Sequence, residues 1–419
     1  MSEYTVIRAK RMIDGTGNKP VNDPVIVVKD NQIHLIDEDG QDEIPQGTGV
    51  REVNLGEQTV LPGLVDTHIH LTLGTYGGYS KISRESDSIH LMAGVSNVRA
   101  ALRAGITTMM DAGARNLVAQ SLRQGIKLGI VEGPRLLVAG RPLTSTGGHF
   151  HFCNDNEANG VDQVVARVGQ FVKEDVDFVK IMASGGGSVN IGSLGGPTAS
   201  QVTFSEGEMR SAVEASHRLG RVTTAHCEAY DSVGNAARAG VDILCHCGFL
   251  TPDGSRGFDE DAVKTMTEKG LYYCPTLQTG SDRYDSLRAM KKEGQVLADD
   301  EERAWEELDY KFQRKFENLS RMRKMGVKVV AGSDATGLGN STRLLRAMEM
   351  MVDAGMSPLE VISSATGTAA EAYRMGDIFG TIKVGVKADI ISVEGNPEKD
   401  ISDLRKIKFC MIDGIITLD

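Results

Sequence analysis

The feature that most constrains the fold of this chain is a repeated alternation between short apolar runs and helical patterns. From Val60 to about Thr336, apolar runs of strand length are separated by longer segments in which apolar residues recur every three or four positions. Eight strands that alternate with helices over roughly 250 residues predict an α/β fold with a (β/α)8 TIM-like barrel. The eight runs occupy residues 64–70, 105–111, 135–139, 176–182, 222–226, 241–246, 271–275 and 327–334.

Two helices, one within this alternation and one after it, begin with a recognisable signal. Ser205 to Glu208 and Ser357 to Glu360 each match a capping box, in which a Ser and a Glu three residues later satisfy the first backbone N–H groups. Pro358 stands at the first helical position of the second one.

Strand patterns without intervening helices occupy both ends of the chain. Neither end has enough strands to be stable alone, so the two are expected to pair into one small β-sandwich domain. The predicted domains are residues 1–58 as the first part of the β-sandwich, 59–379 as the metal-binding barrel and 380–419 as the second part of the sandwich.

The first barrel strand ends in two histidines. Side chains on a strand repeat on one face every second residue, so His68 and His70 should project together. Two neutral imidazoles so placed can hold one metal ion. A bare His-x-His is a weak signal by itself, and a histidine in an apolar strand is commonly a satisfied core residue. The support comes from polar residues on later strands, namely Lys180, His226, His246 and Asp334.

Lys180 indicates what kind of metal site this is. It lies between Phe178 and Met182 in a buried strand, where an ammonium ion is costly. A buried amine in its neutral form can take up CO₂ to become a carbamate, an anion able to bridge two divalent metals. The alternative is a lysine paired with a buried carboxylate.

Charge and cysteine content exclude several function classes. A net charge of −11 argues against nucleic acid or an anionic membrane as partner. The start of the chain has no signal-like segment and no apolar run long enough to span a bilayer, so a cytoplasmic protein is expected. Six cysteines do not make a disulfide framework in a chain of this length. If His246 points into the site, Cys245 and Cys247 should point away and pack as inert thiols.

Together these motifs resemble the amidohydrolase superfamily, in its binuclear subtype with a carboxylated lysine. Within it the chain is most similar to the imidazolonepropionase-related dipeptidases, carboxypeptidases and ochratoxinase-like amidases. The motifs that carry the resemblance include Pro-Gly-Leu-Val-Asp-Thr-His-Ile-His and stand at residues 62–70, 177–187, 225–226, 332–334, 365–370 and 385–389.

The resemblance implies two divalent metal ions, with zinc expected and manganese or iron also acceptable. It implies a hydroxide shared by the ions as nucleophile, with Asp334 as general base and then acid for the leaving nitrogen. His149 matches the family histidine that contacts the substrate carbonyl, and His151 is a weaker candidate contact. The implied ligands are His68, His70 and Asp334 for the more buried ion, His226 and His246 for the other, and carboxylated Lys180 as the bridge.

Two segments are expected to cover the metals. Residues 185–197 are rich in glycine and suggest a flexible lid, with a phosphate cradle as the weaker alternative because no P-loop Lys-Ser/Thr pair follows. Residues 278–303 are rich in charge and suggest a second, mobile cap.

The match breaks at Glu228, where dipeptidase relatives commonly place a Tyr that meets the substrate carboxylate; Tyr230 follows two residues later. A carboxylate at this position would repel another, which favours a substrate with an amine or a neutral amide near Glu228. Glu228 and Tyr230 are both candidate substrate-binding residues.

The expected function is therefore metal-dependent hydrolysis of a small-molecule amide: a peptide, an N-acyl amino acid or a cyclic amide. A deaminase or lactonase on the same scaffold, or a catalytically silent scaffold protein, are the alternatives. A homo-oligomer is plausible for a barrel with an apolar helical exterior.

Overall fold

The computed structural model of the chain describes residues 4–73, 79–187 and 196–418. Most of the predicted glycine-rich lid, residues 188–195, lies outside the described residues.

Strands form both the terminal segments and the centre of the described chain. In chain order they are β1 (Tyr4–Arg8), β2 (Arg11–Met12), β3 (Val21–Asn22), β4 (Val25–Lys29), β5 (Gln32–Asp37), β6 (Val50–Asn54), β7 (Thr59–Pro62), β8 (Leu64–His70), β9 (Ile106–Asp111), β10 (Arg135–Val138), β11 (Phe178–Met182), β12 (Val222–Ala229), β13 (Ile243–Leu250), β14 (Tyr272–Cys274), β15 (Lys328–Val329), β16 (Ala335–Thr336), β17 (Ile390–Val393), β18 (Ile407–Ile412) and β19 (Ile415–Leu418).

Helices separate the central strands. In chain order they are α1 (Tyr79–Ile82), α2 (Asp87–Arg103), α3 (Val118–Lys127), α4 (Val161–Lys173), α5 (Glu206–Arg218), α6 (Tyr230–Ala239), α7 (Glu260–Glu268), α8 (Ser281–Lys292), α9 (Asp299–Lys324), α10 (Leu344–Asp353), α11 (Pro358–Ser364) and α12 (Gly367–Ala372). Among the described helices, none has both the length and the apolar sequence that crossing a bilayer requires.

Both predicted capping boxes are confirmed. At the start of α5, Glu208 N donates to Ser205 Oγ at 3.3 Å, and Ser205 N donates to the Glu208 carboxylate at 2.8 Å. Ser357 and Glu360 make the same two bonds at the start of α11, at 3.3 Å and 2.8 Å. The first backbone N–H groups of both helices are thereby satisfied locally.

Strands from both ends of the chain share one six-stranded sheet, in the order β19-β18-β17-β7-β2-β3. Within it β17 runs antiparallel to β7, with Ile390 opposite Pro62. A four-stranded sheet, β5-β4-β1-β6, comes from the N-terminal segment alone. Apolar side chains of the two sheets form one buried cluster, which includes Ile7, Ile26, Val28, Val60, Phe409 and Met411.

The central strands form two parallel sheets, in the orders β10-β9-β8-β16 and β11-β12-β13-β14-β15. At two places, backbone hydrogen bonds join a strand of one sheet to the segment that follows a strand of the other. Leu143 N donates to Lys180 O, and Met182 N to Leu143 O, both at 2.8 Å. Thr67 N donates to Ala331 O at 3.1 Å. Because the strands are parallel, the strand ends that carry the predicted ligands lie at the same edge of these connected sheets.

Three predicted strand ends differ in detail from the structure. The eighth strand is short, and Asp334 lies in the irregular segment between β15 and β16 instead of closing a strand. His226 and His246 lie inside β12 and β13, which continue three and four residues beyond them.

The predicted cap at residues 278–303 contains α8 and the first turns of α9. Tyr284 stacks on Trp305 with ring centroids 5.5 Å apart, and Arg346 of α10 pairs with Asp285 at 2.6 Å. The two helices are therefore packed on each other and tied to α10, and the mobility of this cap stays a prediction.

Candidate metal centre

One carboxylate and two imidazoles meet at the end of β8. Both His68 Nε2 and His70 Nε2 lie 3.3 Å from Asp334 Oδ1. Both histidines are buried, and Asp334 N donates to His68 O, which holds the Asp334 turn against β8. These three donor groups are close enough together to share one ion.

Two further imidazoles complete the cluster. The rings of His226 and His246 lie 4.5 Å apart, centroid to centroid, and His246 lies 5.3 Å from His68. Three of the four rings have a protein partner on one nitrogen: His70 Nδ1 contacts Gly113 O at 3.1 Å, His226 Nε2 contacts Gly185 O at 3.1 Å, and His246 Nδ1 contacts Thr276 Oγ1 at 2.6 Å. Each of these contacts orients a ring and leaves its other nitrogen for the centre.

The backbone is strained at two of the predicted ligands. His246 has φ 66° and Asp334 has φ 52°, a region that costs a residue with a Cβ about 1–3 kcal/mol. Ligands at such positions depend on the surrounding packing to hold them. Gly332 allows that packing, because a Cβ there would lie 2.5 Å from Cys274 Sγ and 2.9 Å from His68 Cβ.

The positive φ at His246 also corrects the prediction for the cysteines. Cys245 does not point away from the site: its Sγ, that of Cys274 and a ring nitrogen of His68 all lie within 4.8 Å of one another. Cys247 is part of the main buried apolar cluster, and it packs there as predicted. Strict alternation fails here because the backbone of β13 departs from regular strand geometry at residues 246 and 247, where φ is positive.

Lys180 is buried at the centre of the cluster. Its Nζ lies 3.3 Å from His68 Nε2, and its side chain is 1% exposed. Within residues 4–73, 79–187 and 196–418, no carboxylate lies at ion-pair distance from this amine. The described residues therefore do not support the alternative of a lysine paired with a buried carboxylate.

Burial sets the protonation of the ligands. It is the largest effect on the imidazoles, lowering the pKa of His226 to about 4 and that of His246 to about 3, and it also lowers the pKa of His68. Burial alone would raise the pKa of Asp334, but His68, His70 and His246 together hold that pKa well below its usual range. Neutral imidazoles beside an ionised carboxylate are a donor set that suits a divalent metal.

His149 lies beside this cluster. Its ring centroid is 4.7 Å from that of His226, and its ring rests on the backbone at Gly186, where a Cβ would lie 2.7 Å from it. Burial first, and His226 second, lower the pKa of His149 well below its usual range. His151 is further from the centre and places Nδ1 2.9 Å from Gly148 O.

The two candidate substrate-binding residues have different surroundings. Glu228 Oε2 accepts a bond from Arg256 Nη1 at 3.1 Å. Its pKa, which burial would raise, is lowered to about 2, chiefly by Arg256. Tyr230 packs on Phe249, with ring centroids 6.1 Å apart, and on Gly257. Tyr230 thus lies with the hydrophobic core, not among the imidazoles.

The segment after β14 supports the centre in a way the sequence analysis missed. Besides the Thr276 contact with His246, Thr279 Oγ1 donates to Asp334 Oδ2 at 3.3 Å, and the Gln278 amide donates to Ser333 O. Three polar residues within four positions after a strand could have signalled this role. No pattern, however, relates residues 276–279 to a turn at residue 334.

Comparison with known proteins adds independent evidence. A family model described as the amidohydrolase family matches residues 59–416. Ochratoxinase of Aspergillus niger is 26% identical over 443 residues, which span 97% of this chain and 84% of that protein. The crystal structure of a Xaa-Pro dipeptidase with methionine bound in its active site has a TM-score of 0.84 and 27% identity, with 100% of both chains covered. The crystal structure of A. niger ochratoxinase has a TM-score of 0.82 over 100% of this chain and 96% of that one; at 22% identity this comparison shows likeness of fold alone.

Proposed function

Because the chain belongs to the amidohydrolase family and is a hydrolase of C–N bonds, we propose that it cleaves a small-molecule amide with the help of two divalent metal ions. The membership confirms the resemblance drawn from the motifs. The observation that carries the proposal is the convergence of His68 Nε2 and His70 Nε2 on a single oxygen of Asp334, each at 3.3 Å.

The donor set fits such ions. We assign His68, His70 and Asp334 to one ion and His226 and His246 to the other. Neutral imidazole and carboxylate oxygen are both ligands that zinc accepts, and zinc is our proposed element. When bound, the two ions supply Lewis acidity, which lowers the pKa of an attacking water and polarises the substrate carbonyl.

Lys180 is assigned the bridge as its carbamate. Its amine attacks CO₂, a C–N bond forms, and one proton is released to solvent. The burial of Lys180 beside His68, away from any described carboxylate, supports this assignment. The product is an anion, which offsets the positive charge that two divalent ions bring into a buried site.

Asp334 and His149 are assigned the proton transfer and the carbonyl contact. The ionised Asp334 carboxylate can take the proton of the attacking water and deliver it to the leaving nitrogen. His149, held neutral by burial, retains one ring N–H that can donate to the carbonyl oxygen as negative charge develops there.

The substrate is placed among peptides, N-acyl amino acids and cyclic amides. The relatives named Xaa-Pro dipeptidase and ochratoxinase support this range, because each resembles this chain over nearly its whole length.

We also infer that the two parallel sheets are halves of one (β/α)8 barrel within residues 59–379. The hydrogen bonds that join the sheets at two places support closure. The terminal sheets, from residues 1–58 and 380–419, are then a β-sandwich, which their common apolar cluster supports.

The test begins with metal analysis of the purified protein, followed by a panel of dipeptides, N-acyl amino acids and cyclic amides. A lactone and an aminopurine serve as probes for the other reaction classes. We expect about two zinc ions per chain, amide cleavage that chelation abolishes, and recovery of activity with zinc.

A matched pair of variants links the activity to the centre. His68→Asn should lose metal and activity, whereas His34→Asn, at an exposed histidine of the terminal sheet, should lose neither. Activity that survives complete removal of metal, or hydrolysis of the lactone with no amide cleaved, would refute the proposal.

A further inference from the structure

The turn that carries His149 beside the metal centre has an unusual backbone. The His149 ring centroid lies 4.7 Å from that of His226. The next residue, Phe150, has φ 62°, a left-handed conformation that a residue with a Cβ seldom adopts. The Phe150 ring stacks on His70, a proposed ligand, with ring centroids 4.7 Å apart. Such a turn keeps its shape only where the surrounding structure holds it.

A buried asparagine, Asn156, holds this turn. Its side chain is fully buried, and its Nδ2 donates to Phe150 O at 3.0 Å and to Pro142 O at 2.7 Å. Both partners are carbonyl oxygens, which only accept, so the nitrogen of the amide must be the atom that faces them. The two N–H groups of the Asn156 side chain are therefore both used to join Phe150 to Pro142.

The oxygen of the same amide makes no comparable bond. Within the part of the chain that the structure describes, Asn156 Oδ1 is buried and has no hydrogen-bond partner. A buried polar group without a partner is unfavourable, so the side chain depends on its two donors. All the hydrogen bonds of this amide among the described residues go to the turn and to Pro142.

Pro142 connects the turn to the strand of the proposed bridging lysine. It precedes Leu143, whose N donates to Lys180 O at 2.8 Å. The backbone of Asn156 adds to the same link, because Thr144 N donates to Asn156 O at 3.1 Å. The turn is thereby tied to β11 through the segment that follows β10.

The turn is also closely packed. A Cβ at Gly148 would lie 2.3 Å from Thr144 Oγ1, and one at Gly186 would lie 2.7 Å from the His149 ring. The turn therefore rests directly on the segment after β10 and on the backbone after β11. In such dense packing, a change that releases Phe150 O should be transmitted to the neighbouring His149.

We propose that Asn156 is a positioning residue, which holds His149 where its ring can contact the carbonyl of the substrate. This inference rests on the proposed function, in which His149 donates to that carbonyl. On this assignment Asn156 touches neither the substrate nor an ion, and it acts through the backbone of the turn.

Asn156→Ala removes both donors and tests the inference. With zinc at saturation, kcat should fall about 10- to 100-fold for every amide that wild type cleaves, while KM changes less than about threefold. The reason is that a contact with the developing negative charge is felt mainly in the transition state.

Asn318→Ala is the matched control. Asn318 is also buried, and its Oδ1 likewise has no partner among the described residues, but it lies on α9 and donates to Gly257 O at 3.5 Å. This variant should leave kcat unchanged.

A double-mutant cycle with His149→Ala separates positioning from a general structural role. If Asn156 acts through His149, Asn156→Ala should lower kcat less than about threefold further once the His149 ring is gone. A loss of packing that acts by another route would lower kcat by the same factor in both backgrounds.

A second readout needs no turnover. A phosphonate analogue of a cleaved amide presents a tetrahedral, anionic group that resembles the attacked carbonyl. Its Ki should rise in Asn156→Ala by the factor by which kcat/KM falls, whereas the zinc content should stay at the wild-type value.

The outcomes separate this inference from the proposed function. If metal-loaded wild type cleaves no amide, the proposed function fails and this inference falls with it. If wild type cleaves amides but Asn156→Ala lowers kcat less than about threefold, or lowers it equally with and without His149, only the positioning role is refuted.

Two further results also decide the matter. A His149→Ala variant as active as wild type would remove the carbonyl contact, and the role of Asn156 with it. Should Asn156→Ala not fold, Asn156→Ser, which also removes the amide but leaves a smaller cavity, goes through the same cycle with the same limits.

Discussion

Two regions of the molecule, a ligand side and a basic side, are built in different ways. The ligand side stands on the parallel strands β8, β11, β12 and β13 and on the segment after β15, and three of its four imidazoles have backbone or hydroxyl partners. The basic side consists of Arg256, in the segment between β13 and α7, and of Lys311 and Lys315 on the long helix α9. On the proposed assignments, the chemistry is therefore placed on strands of the sheet, the more rigid part of the fold.

The charges on the two sides differ as well. On the ligand side the Asp334 carboxylate lies among imidazoles, and burial lowers the pKa of His68, His226 and His246. On the basic side Arg256 pairs with Glu228, and Lys311 and Lys315 make no ion pair among the described residues. Changes on the ligand side should therefore have the largest effects on activity.

The largest effect is expected from Asp334→Asn. The change removes a metal ligand and the proton carrier, so kcat should fall by on the order of 10³-fold or more for every substrate. Steady-state kinetics with zinc present measure this. Asp261→Asn, whose side chain is 93% exposed, is the control and should keep full activity. If Asp334→Asn keeps more than about a tenth of wild-type kcat, Asp334 has no role in proton transfer.

Lys180→Ala should have the next largest effect. Without the bridge the second ion is held less tightly, and activity should fall at least about 100-fold. Metal analysis should show fewer than two ions per chain. Reloading zinc into metal-free wild type should be slower in buffer depleted of CO₂, and bicarbonate should restore the rate. Equal reloading with and without CO₂ would contradict the carbamate.

Thr276→Val tests the support of the ligand side. The Thr276 hydroxyl lies 2.6 Å from His246 Nδ1, so its loss should weaken zinc affinity by about 10- to 100-fold. The effect should appear in zinc titrations and largely vanish at saturating zinc. Thr267→Val, on the surface of α7, should show no change. A fall in kcat that excess zinc does not correct would point to a different role for Thr276.

The ligand side was largely predictable from the sequence, because strand periodicity acts over neighbouring residues. His68 and His70 share a face of β8 as their spacing requires, and Lys180 lies in β11 as predicted. Both capping boxes form for the same local reason. The orientation of Cys245 was predicted wrongly, because a positive φ at His246 breaks the alternation and no sequence pattern announces it.

The basic side was not predictable. Glu228 precedes Arg256 by 28 residues and Lys315 by 87, and no periodicity relates the three. Read alone, Glu228 is an unpaired acid that repels carboxylates; the pair with Arg256 exists only once β13 and the segment after it are folded.

By itself, the sequence determined the alternation of strands and helices, the paired histidines and the set of ligand types, since each follows from local spacing and chemistry. Only the tertiary structure decided that Asp334 would reach the histidines of β8 from outside a strand, that residues 276–279 would support it, and that Arg256 would pair with Glu228. The physical reason is that packing joins residues distant in the chain, and the charge a buried group experiences depends on those neighbours.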